Sequence, residues 1–135
     1  MAKTFSYNST EKLKSRKQLD ALFTKGKSFL VFPVKIFFAE VNNESDAPMK
    51  VGVGVSSKHF KKAVDRNRIK RLLREAYRLN KIPLTEFIQI NNKKIAVFFL
   101  FIDKTIPAFS LLQNKMPTVI AKLIKSLNEN NIANT

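Results

Sequence analysis

The sequence predicts an α+β domain, a small central sheet with helices packed on it. Three stretches of the 135-residue chain predict it. Residues 63–78 place Ile69, Leu72, Leu73, Ala76 and Tyr77 at i, i+3, i+4, i+7 and i+8, one apolar stripe of an amphipathic helix. Residues 50–57 alternate Val51, Val53 and Val55 with Gly52, Gly54 and Ser56, the period-2 pattern of a strand with one buried face. Residues 95–102 form a continuous apolar run of β-formers, which suits a strand covered on both faces. The predicted order is α-β-β-α-β-α-α, in a single domain spanning residues 1–135.

Each element has its own local cause. Residues 1–8 read as a loose arm. Ser9 or Thr10 caps a first helix with Glu11 in its first turn, and Gly26 is placed to end it after Lys25. Its apolar positions are Leu13, Leu19, Leu22 and Phe23; the other face carries Lys12, Lys14, Arg16 and Lys17. Residues 29–41 read as one strand interrupted by Pro33, with Val34, Ile36 and Phe38 on one face and Lys35 and Phe37 on the other. Residues 42–48 are a polar loop. The bare glycine face of the next strand leaves room for a backbone or helix to approach. The basic helix ends near Asn80, ahead of Pro83, and residues 84–90 either extend it or form a short turn. After the apolar strand, Ile106-Pro107 breaks the chain. Residues 108–115 form a short helix and Pro117 opens another, with Ile120, Leu123, Ile124 and Leu127 as its stripe. The ordered core is expected over about residues 9–128, with 129–135 a flexible, Asn-rich tail.

Charge narrows the function. The net charge is +15 and the pI is about 10.3, which points to nucleic acid or, less often, an anionic membrane surface. Ten Lys or Arg against two acids fall within residues 58–81, so that segment contributes +8 and the other 111 residues +7. On the helix, Asn67, Arg71, Arg74 and Arg78 form one ridge with Arg66 and Lys70 beside it. Glu75 is the one acid on the later turns and pairs with Arg71 or Arg78. Like charges at i, i+4 repel, and a polyanion relieves that repulsion. The guanidinium fork suits phosphate and base edges, so nucleic acid outweighs a merely solvated face. Lys35 beside Phe37 either offers a ring to stack a base and a cation for phosphate or belongs to a second packed face.

Several chemistries are excluded. There is no cysteine, hence no disulfide, thiolate metal site or cysteine nucleophile. His59 is the sole histidine, which rules out a two-histidine ribonuclease. The Gly52/Gly54 pair lacks the following Gly-Lys of a phosphate loop. Asp65 and Glu75 stand among cations, and Asp103 has no catalytic partner, so a loop or cap role is expected for it. No apolar run spans a bilayer and no signal peptide is seen, so a cytoplasmic protein without membrane contact is expected. No helix-turn-helix pair supports a DNA-binding regulator.

The order of residues adds a resemblance. Phe60-x-x-Ala63-x-x-Arg66-Asn67-Arg68-Ile69-Lys70-Arg71-x-Leu73-Arg74 resembles the signature of the bacterial ribonuclease P protein subunit. Leu13-Lys14-Ser15-Arg16 with Phe23-x-x-Gly26, and the Val51–Val55 strand leading to Lys58, resemble its flanks, so the likeness spans roughly residues 12–128. It implies an α/β sandwich whose βαβ unit has a left-handed crossover, an exception to the usual hand. It implies ribonuclease P activity in tRNA 5′ maturation as an accessory protein, with the RNA subunit carrying catalysis through Mg²⁺ held by RNA and substrate. The implied partners are the ribonuclease P RNA subunit and precursor tRNA, with no obligate protein partner and no metal site on the chain. Arg66, Asn67, Arg68, Lys70, Arg71 and Arg74, flanked by Arg78, are assigned to the RNA subunit; Lys14, Arg16, Phe23, Phe37 and Lys58 to the 5′ leader. The chain departs from the family pattern at Leu19, where many members have an aromatic, at Ser57, at Lys61-Lys62 and at Ile102-Asp103. The alternative is a structural RNA binder, a ribosomal protein or RNA chaperone, with no part in cleavage.

Overall fold

The computed structural model describes residues 16–40 and 49–133, with side chains over 19–40 and 49–128. Element order is α1 (Arg16–Lys25), β1 (Lys27–Val31), β2 (Val34–Glu40), β3 (Met49–Val55), α2 (Ala63–Asn80), α3 (Ile82–Ile90), β4 (Ile95–Phe101) and α4 (Phe109–Ala133). The four strands lie in the order β1-β2-β4-β3; β1/β2 and β2/β4 are antiparallel and β3/β4 parallel. The sheet is mixed and helices pack on it, so the predicted α+β class is observed.

The apolar run of β4 sits between β2 and β3, where both of its faces are covered. Ile95, Val97, Phe99 and Phe101 join the main core with Val34, Ile36 and Phe38 of β2, Met49 and Val51 of β3, and the buried stripes of α2, α3 and α4. Ala96 and Phe98 point the other way and pack with Leu22 of α1. Leu19, Phe37, Ala39 and Leu100 flank this smaller cluster. The molecule is thus three-layered: α2, α3 and α4 over one face, α1 over the other.

Several boundaries differ from the sequence reading. Residues 29–41 are not one interrupted strand. Val31 pairs with Val34, so Phe32-Pro33, joined by a cis peptide bond, makes the two-residue turn of a β1–β2 hairpin. The chain reverses there because Pro cannot continue a ladder donor. Residues 82–90 form their own helix. Pro83 has no N–H for the Leu79 carbonyl, so α2 stops and α3 starts one residue past Lys81. The Lys81 side chain is 4% exposed, its Nζ lying 6.0 Å from the Tyr77 ring centroid.

The two expected C-terminal helices are one, with Pro117 inside it. Leu112, Met116, Val119, Ile120, Leu123 and Leu127 are all nearly fully buried. Each such side chain contributes roughly 1.5–3 kcal/mol, so the stripe outweighs the ~3 kcal/mol of an interior proline. The segment expected to fray is helical as far as Ala133. Gly26 ends α1 as predicted, but with ordinary φ. Its need is space: a Cβ there would lie 2.4 Å from the Leu22 carbonyl oxygen and 3.0 Å from that of Phe38. The glycine face of β3 is filled rather than bare, since a Cβ on Gly54 would meet Phe98 Cζ at 2.5 Å. The expected N-terminal cap, arm and 42–48 loop lie outside the described residues.

Candidate nucleic-acid interface

Helix α2 is set by its buried side. Ile69, Leu73, Ala76 and Tyr77 are buried and Leu72 packs against the same core. Tyr77 meets Phe99 at 5.6 Å and donates to Met49 Sδ at 3.6 Å. At its C-terminal end, Asn80 Nδ2 donates to the Ala76 carbonyl at 2.8 Å and to Gln113 Oε1 of α4 at 3.0 Å. With rotation about the helix axis fixed in this way, Asn67, Arg68, Arg71 and Arg74 are exposed and Lys70 half-buried. Among the described residues no acid pairs with Arg68, Lys70, Arg71 or Arg74.

The two ends of the predicted set behave differently. Arg78 is half-buried and paired with Glu75, through Nη2–Oε1 at 2.5 Å and Nε–Oε2 at 3.1 Å. The hydrogen bond from Arg78 holds the Glu75 carboxyl below its ordinary range, partial burial opposing it and the Arg78 charge adding to it. Arg66 turns back towards its own N-terminus. Its Nη1 donates to the carbonyls of Phe60 at 2.8 Å and Lys61 at 2.7 Å. Phe60 is itself buried, its ring 6.2 Å from Phe101.

A second surface lies on the opposite face of the sheet. Phe23 of α1 is 44% exposed, and its ring stands edge-on to Phe37 at 5.0 Å and to Phe98 at 5.2 Å. Lys35 Nζ lies 5.2 Å from the Phe37 ring centroid. The leader candidates Phe23 and Phe37 are thus brought together, with Lys35 beside them. Leu19 packs into the neighbouring cluster. Lys58 is exposed in the loop after β3, where its N–H donates to Ser56 Oγ at 3.3 Å. Val34, Phe101 and Val55 lie across from one another, so that loop and the Phe32-Pro33 turn share one end of the sheet. Phe32 there is 56% exposed. Lys14 and the Arg16 side chain lie outside the described residues.

Phe98 is absent from the sequence-based site because a continuous apolar strand gives no alternation to show which ring faces α1. Asp103 has the expected loop role, its Oδ1 accepting the Lys104 N–H at 2.7 Å. Among the described residues no three His, Cys, Asp or Glu side chains cluster to hold a metal ion, and no helix is long and apolar enough to cross a membrane.

A sequence profile described as Ribonuclease P matches residues 7–104, which contain both surfaces. The chain belongs to the ribonuclease P protein family. The Ribonuclease P protein component of Porphyromonas gingivalis is 32% identical over 120 residues, covering 89% of this chain and 88% of that protein. That of Chlorobium phaeobacteroides is 34% identical over 117 residues, covering 78% and 80%. Among solved structures, the RNase P protein from Thermotoga maritima is similar at a TM-score of 0.63 and 25% identity, over 83% of this chain and 96% of that one. The Staphylococcus aureus RNase P protein shares the fold at a TM-score of 0.56 and 18% identity, over 85% and 95%. The match to the ribonuclease P family runs from α1 through β4 and so includes α2. The final helix α4 lies beyond the profile match.

Proposed function

We propose that this chain is the protein component of ribonuclease P, which takes part in removing the 5′ leader of precursor tRNA. In this reading α2 docks on the RNA subunit through Asn67, Arg68, Lys70, Arg71 and Arg74, with Arg66 and Arg78 at its margins. The leader runs against α1 and the sheet, contacting Phe23 and Phe37 with Lys58 and, beyond the described side chains, those of Lys14 and Arg16. The observation that carries the proposal is the set of exposed arginines Arg68, Arg71 and Arg74, with no acid partner among the described residues, on a helix whose opposite side is locked in the core.

The chemistry follows from what the chain's residues can do. Arginine forks hold phosphates in fixed geometry. They release counterions as they do so, and the entropy gained draws two polyanions together. An aromatic platform beside Lys35 accepts an unpaired base irrespective of sequence. Among the described residues no three His, Asp or Glu side chains cluster, and His59 is the sole histidine. We assign hydrolysis to Mg²⁺ held by the RNA subunit and substrate, with the protein as accessory.

Affinity capture of the tagged chain from its own cells tests the reading. Ribonuclease P RNA is the expected main co-purifying species. Ribosomal RNA in its place would move the assignment to a structural RNA binder. For the leader surface, the RNA–protein complex should prefer precursor tRNA over mature tRNA. Phe23→Ala and Phe37→Ala should shrink that preference, and an unchanged preference would remove both rings from the leader path.

A further inference from the structure

We infer that Arg66 is a positioning residue: it braces the turn at residues 60–61, and through that turn it presents Lys58, Lys61 and Lys62 to RNA. The inference rests on the proposed RNA-binding role of α2 and assigns Arg66 a part in it other than a phosphate contact of its own.

The geometry of the guanidinium leads to it. Both protons of Nη1 are used on backbone carbonyls, at 2.8 Å to Phe60 and 2.7 Å to Lys61. These are short, charge-assisted bonds. They draw the group back over the loop, whereas its neighbours Asn67 and Arg68 are exposed. The loop has reason to need a brace. Lys58, Lys61 and Lys62 are exposed within five residues and repel one another. Lys62, the residue before the helix, is extended at φ −80 and ψ 129, and no side chain caps the helix there. The loop is held instead at three points: Lys58 N–H on Ser56 Oγ, the Phe60 ring on Phe101, and the two carbonyls on Arg66. Remove the third and the Phe60 ring stays anchored, but the lysines that flank it lose their fixed direction.

The motif Arg66-Asn67-Arg68 is therefore divided. Its first arginine works inward on the loop, and Asn67 and Arg68 face outward. Three further cations join the RNA surface by way of Arg66, which extends that surface from α2 towards the end of the sheet where Phe32 lies.

Two measurements on the full chain test this. The first is backbone amide exchange in the free protein. Arg66→Met should speed exchange at residues 58–62 by about tenfold, leaving β4 and α4 unchanged, while Arg68→Met should not. The second is a double-mutant cycle in binding to ribonuclease P RNA. Lys61→Ala with Lys62→Ala should weaken binding roughly tenfold in the wild-type and Arg68→Met backgrounds, but less than about threefold in Arg66→Met. Arg66→Lys, which keeps the charge, repeats both comparisons should the Met variant fail to fold. Unchanged loop exchange, or equal losses in the Arg66 and Arg68 backgrounds, would overturn the inference. If the wild-type chain binds no ribonuclease P RNA, the docking role of α2 falls, and loop exchange alone decides whether Arg66 is a brace.

Discussion

Arg71 is the residue of the proposed RNA-subunit surface that offers the simplest single-residue test. It is exposed in the middle of the ridge, and no described acid neutralises it. Arg71→Ala should weaken RNA-subunit binding and lower the salt slope of log K by about 1 if the side chain neutralises one phosphate. An unchanged slope would remove it from the phosphate contacts. Glu75 predicts a pH response. Its carboxyl is held low by Arg78, so the pair's contribution is present above the ordinary carboxylate range and is lost as pH falls through the lowered value. Glu75→Gln should flatten that part of the acid limb of stability; an identical acid limb would show the pair to be ineffective. The ridge was legible because helical period sorts residues by face. The inward turn of Arg66 was not, because its acceptors are backbone carbonyls, which every residue carries and no sequence pattern marks. The choice of Arg78 over Arg71 by Glu75 was one of two partners that helical spacing allowed.

At the scale of elements, the strands and helices with strong periodicity were readable and their junctions were not. Helix α2 and strands β3 and β4 fall within two residues of the sequence-based bounds. The β1–β2 hairpin was hidden because Pro33 reads equally as an interruption or a turn. Helix α4 was split on the strength of Pro117, a local rule overridden by the burial of a six-residue stripe. Pro117 is exposed on α4. Pro117→Ala should restore a backbone donor and raise stability by roughly 2 kcal/mol in urea unfolding, after allowing for the proline's effect on the unfolded chain. Loss of stability would show that the helix depends on the proline. Between β3 and β4 the fit is close enough to test in the opposite sense. Gly54→Ala should destabilise the fold by about 1–3 kcal/mol, because the Phe98 ring it displaces is already packed on Phe23. A neutral substitution would mean that the ring has somewhere to go.

For the whole molecule, the sheet separates two surfaces, each backed by its own apolar cluster. One side carries α2 and its arginines, the other α1 with Phe23 over Phe37 and Phe98. The loop that bears Lys58 and the Phe32-Pro33 turn meet at one end of the sheet, so a strand of RNA crossing that end can touch both. Net charge pointed to a polyanion, and residue order in α2 pointed to ribonuclease P. The resemblance in the sequence already named Phe23 and Phe37, whereas Phe98, the third ring of their cluster, needed the fold. The most direct measurement is cleavage of precursor tRNA by the cognate RNA subunit at low Mg²⁺, with and without this chain. Cleavage at the mature 5′ end that depends on the added chain is the predicted result. An RNA subunit that cleaves no faster with the chain than without it, at a Mg²⁺ concentration where it is limiting, would contradict the assignment.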